Sequence, residues 1–361
     1  MGGFELFPES CLPCDSNSSM RIIAASSRDS SIWRPWGGFQ IQRLGGGIGN
    51  GNPWPSVPAT LLTEDFRDLL LWIRAFNQVA GPAKAIRFYG FDVPEARTAY
   101  EWAKGYLQEV DPREAEYLGV NLWQLAATPW PGPAVAEADR QAWRIALARL
   151  QHRARARSQQ WIDRSGRVAF ARYQRCLVLL EQGTGMLEGR LPGLRYRESA
   201  MAENVRWILA DAPPASRMLL WAHNGHLDKS PAGRADYPPM GWHLAAALGP
   251  EYLPIGLIFS HGSFTGVSDG RAVHYTVEPK AAGTLDRALA AAGPPVLALD
   301  LRRLPVSGRV ARWFQAPQGT WSIPLRFDPD HPADAILEAP IAEQFDGLIF
   351  FARTRPTRLW P

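Results

Sequence analysis

The stretch WAHNGHLDKS, from Trp221 to Ser230, carries two histidines, His223 and His226, with Asn224 and Gly225 between them. Imidazole exchanges protons near neutral pH, so a pair on one short turn can share a hydrolytic step. One ring takes a proton from water or hands one to a leaving oxygen, while the other orients the substrate or steadies a developing oxyanion. A zinc site would need a third ligand, and the sequence has no HExxH and no cysteine pair near this turn. A third reading makes Asn224-Gly225 a tight turn in which the histidines merely satisfy backbone carbonyls. The residues by themselves leave these readings open.

Other chemistry is less specific. Cys11 and Cys14 form a lone CxxC in a serine-rich segment, and with Cys176 they make three cysteines, too few for a disulfide framework. The glycine cluster from Gly45 to Gly51 lacks the Lys-Ser/Thr ending of a phosphate loop and reads as a linker. No GxSxG elbow is present, since HGSFTG does not fit that pattern, which argues against a serine hydrolase. The net charge is +4, with the basic excess gathered between Arg140 and Arg167. Trp143, Ile145, Leu147 and Leu150 recur among those arginines, so the stretch reads as one amphipathic helix with a solvated charged face rather than a nucleic-acid surface.

The elements that must hold these residues follow from periodicity. TEDFRDLLLWIRAFNQ reads as a helix capped by Thr63, with Phe66, Leu69, Leu70 and Ile73 on one face. KAIRFYGFD reads as a strand that places Asp92 at its carboxyl end, followed by a helix opening at Pro94. Further helices are expected over EADRQAWRIALARLQHRARARSQQW, RVAFARYQRCLVLLEQG, YRESAMAENVRWILAD and MGWHLAAALG. Strands are expected at RMLLWA, YLPIGLIFS, PPVLALDL and DGLIFFA. Alternating helices and apolar strands predict an α/β protein with a mixed, mostly parallel central sheet, helices on both faces and a helical lobe. In such sheets ligands sit outside the carboxyl ends of strands, where HNGH and GFD both fall. A hydrophobic content of 46% supports a sizeable core. No apolar run approaches the ~18 residues of a membrane helix and the amino terminus has no leader pattern, so no membrane partner and a cytoplasmic location are expected.

The chain resembles the erythromycin esterase family. The resemblance rests on RFYGFD (Arg87 to Asp92), RESAMAENVRWIL (Arg197 to Leu209), WAHNGHLDKS, MGWHLAAALGPEYLPIGLIFSHGSF (Met240 to Phe264), LDLR (Leu299 to Arg302) and FDGLIFF, all in the family's order. It implies a mixed α/β hydrolase that adds water to a carboxylic ester or macrolactone, without a metal or other cofactor. It implies that His223 and His226 are catalytic and that Asp92, Asn224, Glu203 and Asn204 line the cleft. The implied partner is a small-molecule ester or lactone; nucleic acid is not expected, and oligomeric state cannot be read. The family's Gly-Glu-x-x-His-Gly motif, whose histidine is the proposed base, has no counterpart here, because no histidine precedes His152. Residues 1–58 are therefore expected to be an atypical, mostly irregular segment that leaves the amino-terminal part of the fold incomplete. Residues 59–361 are expected to form the esterase-like domain, with its helical lobe at roughly 94–190. The alternative reading is a truncated or degenerate homologue without turnover, acting as a binding module or not at all.

Overall fold

The computed structural model describes residues 21–25, 63–81, 84–93, 96–129, 134–230, 237–268, 271–279, 284–324 and 326–359. Cys11, Cys14, the glycine cluster after Leu44 and the expected helix start at Pro94 lie outside the described residues. Within the segment expected to be mostly irregular, Arg21–Ala25 is a strand, β1. Its adjacent Ile22 and Ile23 are β-branched, which favours extended backbone. Apart from β1, the described residues fall into two compact units, one holding Ala59–Ile86 and Leu209–Pro361, the other Arg87–Ile208.

Among the described residues the next element after β1 is α1 (Glu64–Ala80), which opens where the capping signal predicts: the Thr63 hydroxyl accepts from Phe66 N at 3.1 Å. Leu70 and Ile73 face the core. The side chain of Asn77 then bonds both backbone atoms of Ile86, at 2.9 and 2.7 Å, and so fastens the end of α1 to the start of β2 (Ile86–Gly90).

The second unit is helical: α2 (Ala96–Val110), α3 (Pro112–Ala127), α4 (Glu137–Ala156), α5 (Ser158–Ser165), α6 (Arg167–Met186) and most of α7 (Arg190–Asp211). Its core is built from Leu107, Leu118, Leu122, Leu147, Leu150, Trp161, Tyr173 and Leu180, all at most 1% exposed, which makes burial of apolar surface the main stabilising term. The arginine-rich stretch is two helices rather than the expected one. The chain breaks at Arg157, whose φ of −112° and ψ of 17° leave the helical region. The break seats Trp161 fully inside, edge-on to Tyr173 at 5.7 Å between ring centroids. Ile145, expected on the apolar face, is instead 60% exposed, while Trp143, Ala146, Leu147, Leu150 and Ala154 form the buried stripe. Five of the arginines on this stretch, Arg140, Arg144, Arg149, Arg153 and Arg157, are engaged with acids of the same unit. Arg149 and Arg153 reach Glu114, Arg157 reaches Asp111, and Arg144 bridges Glu137 and Glu188.

The first unit continues through β3 (Arg217–Trp221), α8 (Asn224–Leu227), α9 (Met240–Leu248), β4 (Ile255–Ser268), β5 (Arg271–Val277), α10 (Leu285–Ala291) and β6 (Val296–Asp300). It ends with α11 (Arg309–Gln315), β7 (Pro317–Trp321), β8 (Ile336–Pro340), α12 (Ile341–Gln344) and β9 (Gly347–Thr354). Four strands form a mixed sheet in the order β5-β4-β9-β6, with β4 and β9 parallel and the outer pairs antiparallel. Ile258, Leu348 and Phe350 supply its buried face. The β7–β8 pair is a separate antiparallel ribbon. The protein is thus α/β with a mixed sheet, as the alternating pattern predicts. Gly262 explains the HGSF run: it is the last residue of β4 paired with β9 and the first paired with β5. Its φ of 120° is open only to glycine, and a Cβ there would overlap the Thr354 carbonyl oxygen. Among the described residues no helix is long and apolar enough to cross a membrane.

Candidate functional site

HNGH follows β3, but it is not the tight turn its Asn-Gly pair suggests. Asn224–Leu227 is a single helical turn, α8, with His223 as its N-cap. The local cause is the His223 ring, whose Nδ1 accepts from Gly225 N at 3.1 Å as a capping side chain does. The other ring nitrogen, Nε2, lies 3.0 Å from the Ile323 carbonyl oxygen. The His226 ring stands nearly perpendicular to that of His223, at 77°, with centroids 6.4 Å apart. That spacing is too wide for a direct hydrogen bond between the rings. His223 is exposed and His226 half-buried.

Four elements hold this turn. Asn224 uses both ends of its amide on Leu257 of β4, donating to the carbonyl at 2.6 Å and accepting from the N–H at 3.0 Å. In effect its side chain pairs with the strand edge as a peptide group would. Tyr252 donates its hydroxyl to the Leu227 carbonyl at 2.6 Å, and burial of that phenol raises its pKa. Asp228, 1% exposed, accepts from Ser230 N at 2.7 Å and from the Gln344 amide of α12 at 2.6 Å. Lys229 pairs with Asp346, just before β9, at 2.6 Å. Gly241 of α9 lies so close to the Leu227 and Asp228 carbonyls that any Cβ would overlap them. Leu257 and Asp346 mark the amino ends of β4 and β9. The turn therefore follows the carboxyl end of β3 while resting on the amino ends of β4 and β9, which are parallel to each other.

The other predicted site residues belong to the helical unit. Asp92 is 0% exposed and makes a two-pronged pair with Arg197, whose Nε and Nη2 donate at 2.7 and 2.5 Å. Burial lowers the Arg197 pKa, but the charge and hydrogen bonds of Asp92 outweigh it, and the net shift is upward. Asn204 is equally enclosed: it donates to the Phe91 carbonyl at 2.8 Å and accepts from Gln182 at 2.9 Å and from Arg175. GFD and RESAMAEN are thus locked together by two buried polar contacts, which accounts for their appearing as a matched pair. Glu203 differs, with a side chain 56% exposed that reaches Arg175 at 3.7 Å and Gln182 at 3.3 Å. Burial lowers the Arg175 pKa, and the Glu203 charge works against that shift. LDLR makes a local clip in the first unit: Arg302 folds onto Asp300, and this hydrogen bond holds the Asp300 carboxyl below its usual range.

The structure therefore brings His223, Asn224 and His226 together in one unit, and Asp92, Glu203 and Asn204 together in the other. Sequence reasoning did not single out Arg197, Gln182, Ile323 or Gln344. Arg197 had a signal, because an enclosed Asp92 demands a cation, but its enclosure is a property of the fold. Among the described residues no three histidine, cysteine or acidic side chains converge to hold a metal ion.

These features describe an α/β protein with a helical unit and a rigidly mounted histidine pair. The family model for erythromycin esterase matches residues 57–354, and the chain belongs to the erythromycin esterase family. An erythromycin esterase type II from Escherichia coli is 22% identical over 319 residues, spanning 79% of this chain and 71% of that one. A Bacillus cereus protein of known structure superposes with a TM-score of 0.76 at 19% identity, over 94% of this chain and 82% of the other. A mutant of the erythromycin esterase EreC, in its open conformation, superposes with a TM-score of 0.60 at 16% identity, over 92% and 82%. Membership supports a hydrolase of this kind and suggests a small-molecule ester or macrolide as its substrate.

Proposed function

We propose that this protein hydrolyses a carboxylic ester or macrolactone by histidine-assisted attack of water, with no metal in the step. The observation that carries this reading is the α8 turn, where two imidazoles stand with centroids 6.4 Å apart on a mount tied to β4, α9, α12 and the chain before β9. Such a mount keeps reacting groups in register, which is what positional catalysis requires. Water adds to the ester carbonyl carbon as one imidazole takes its proton, and the π pair moves to the carbonyl oxygen. Collapse breaks the carbon–oxygen bond to the alcohol part, which receives the proton, leaving an acid and an alcohol. In the helical unit, Glu203 keeps a carboxylate 56% exposed and able to meet a ligand. Asn224 is engaged at both ends of its amide by Leu257 and serves the site by holding the α8 turn, while Asp92 and Asn204 are engaged within the helical unit.

The test is hydrolysis of p-nitrophenyl esters and of a macrolide by the wild type and by His223→Ala and His226→Ala, each with and without a chelator. Loss of roughly 10²-fold or more in either variant is expected, the range of general acid–base catalysis, with no chelator effect. Unchanged rates in both variants would remove the histidines from the mechanism, and chelator sensitivity would bring back a metal. A second reading is favoured by one observation, the absence of any histidine before His152 and hence of the Gly-Glu-x-x-His-Gly base. In that reading the site binds without turnover, and calorimetry registers macrolide or ester binding while no product forms.

A further inference from the structure

We propose that the two histidines divide the labour in one direction only: His223 is a fixed hydrogen-bond donor to the substrate carbonyl oxygen, and His226 is the ring that exchanges the proton. This rests on the hydrolase reading above and decides which ring does what.

The argument starts from two backbone atoms whose roles admit no choice. Gly225 N–H can only donate, and it faces His223 Nδ1 at 3.1 Å, so Nδ1 presents its lone pair. The Ile323 carbonyl oxygen can only accept, and it faces Nε2 at 3.0 Å, so Nε2 carries the hydrogen. Both contacts select the same species, the neutral Nε2–H tautomer. A second proton on Nδ1 would set two N–H groups against each other and undo the cap of α8. His223 in this setting is therefore no base, while its Nε2–H is already aimed at a carbonyl oxygen.

The acceptor it faces is a stand-in for substrate. An ester carbonyl oxygen has the chemistry of the Ile323 carbonyl, and as water adds, that oxygen gains negative charge and becomes the stronger acceptor. Ile323 is itself held: it packs against the cluster of Val277, Trp321, Phe327 and Ala335, and the neighbouring Ser322 N donates to the Ala335 carbonyl at 2.8 Å. Ile323 is thus a positioning residue that keeps Nε2–H oriented until a better acceptor arrives. His226 takes the proton of the attacking water and returns it to the leaving alcohol oxygen, so protons balance over the cycle. The charged and titratable groups on the elements packed around α8 are His243 of α9, His261 of β4, Glu251 and Tyr252 before β4, and Asp228, Lys229, Glu343 and Asp346 at its carboxyl side. Any pH profile must be read against them.

The test uses the full chain labelled with ¹⁵N-histidine, in two-bond proton–nitrogen spectra at neutral pH, with His223 assigned by its loss in His223→Gln. The expected pattern is an unprotonated Nδ1 and a protonated Nε2. An Nδ1–H tautomer or a charged ring overturns the proposal without reference to activity. In ester hydrolysis, His223→Gln keeps an N–H donor but cannot exchange a proton. It is expected to lower kcat by about 10- to 10³-fold, up to the range found for losing an oxyanion donor, while keeping the pH dependence of the wild type. His226→Gln is expected to abolish the pH-dependent limb, and the opposite assignment of the two effects overturns the division. If the wild type turns over no ester, the hydrolase reading fails and takes the donor role with it, whereas the spectra still decide the tautomer.

Discussion

At the scale of single residues, the two sets of predicted site residues are held in opposite ways. His223 is exposed and His226 half-buried, whereas Asp92 and Asn204 are enclosed and engaged with their neighbours. A buried ion pair gains little over apolar residues of the same shape, but removing one partner leaves the other charge stranded. Arg197→Met is therefore expected to destabilise the protein by about 3–5 kcal/mol in urea unfolding. Changing Asp92→Leu in the same chain should recover part of that loss. A single change costing under about 1 kcal/mol would mean that water or another cation reaches Asp92, and the lock between GFD and RESAMAEN would have to be given up.

At the scale of elements, α8 is a four-residue helix, too short to stand on its own hydrogen bonds. Its geometry comes from its neighbours, and Asn224 makes the most direct link. Asn224→Ala removes both bonds to Leu257, and because that residue is half exposed, water replaces part of the loss. A cost of about 1 kcal/mol is expected in chemical denaturation. Asn224→Asp is expected to cost at least as much, because a carboxylate then faces the Leu257 carbonyl with no hydrogen to offer. A neutral result for both would show that the turn keeps its place without this link. Much of the element list was legible in sequence for local reasons: Thr63 caps α1 where its hydroxyl predicts, and the apolar periods of α6 and α7 show their buried faces. What escaped was decided by distant packing. Nothing near Arg157 announces a helix break, since no proline or glycine stands there, and the break exists to seat Trp161. The β7 strand, PQGTW, opens on proline and contains glycine, and only its ladder with β8 makes it a strand. The histidine pair itself was legible, but the residues that hold its turn, Leu257 on Asn224, Ile323 on His223 and Gln344 on Asp228, lie 33, 100 and 116 residues from their partners and meet them only through the fold.

At the scale of the whole molecule, the helices of the helical unit come from one stretch of chain, Arg87–Ile208, while the described elements of the sheet unit come from the chain on either side of it. Contacts between near neighbours in sequence form faster than those that must first close a long loop. In refolding followed by pulsed hydrogen exchange, amides of α2 to α6 are expected to gain protection before those of β4 and β9. Simultaneous protection would indicate that the helices wait for the sheet.

Asn224 and Gly225 together have one more consequence, for how the protein ages. An asparagine followed by glycine is the sequence most prone to lose its amide, because the glycine nitrogen can attack the side-chain carbonyl and close a succinimide ring. Here that nitrogen is turned toward His223 Nδ1, and the amide it would attack is clamped at both ends by Leu257. The bonds that place the histidines also keep the two reacting atoms apart. Peptide mapping after prolonged incubation at alkaline pH should find Asn224 intact in the folded protein and converted once the chain is unfolded. Early conversion in the native state would show that the turn opens often. The durability of this site is then set by how rarely α8 unwinds.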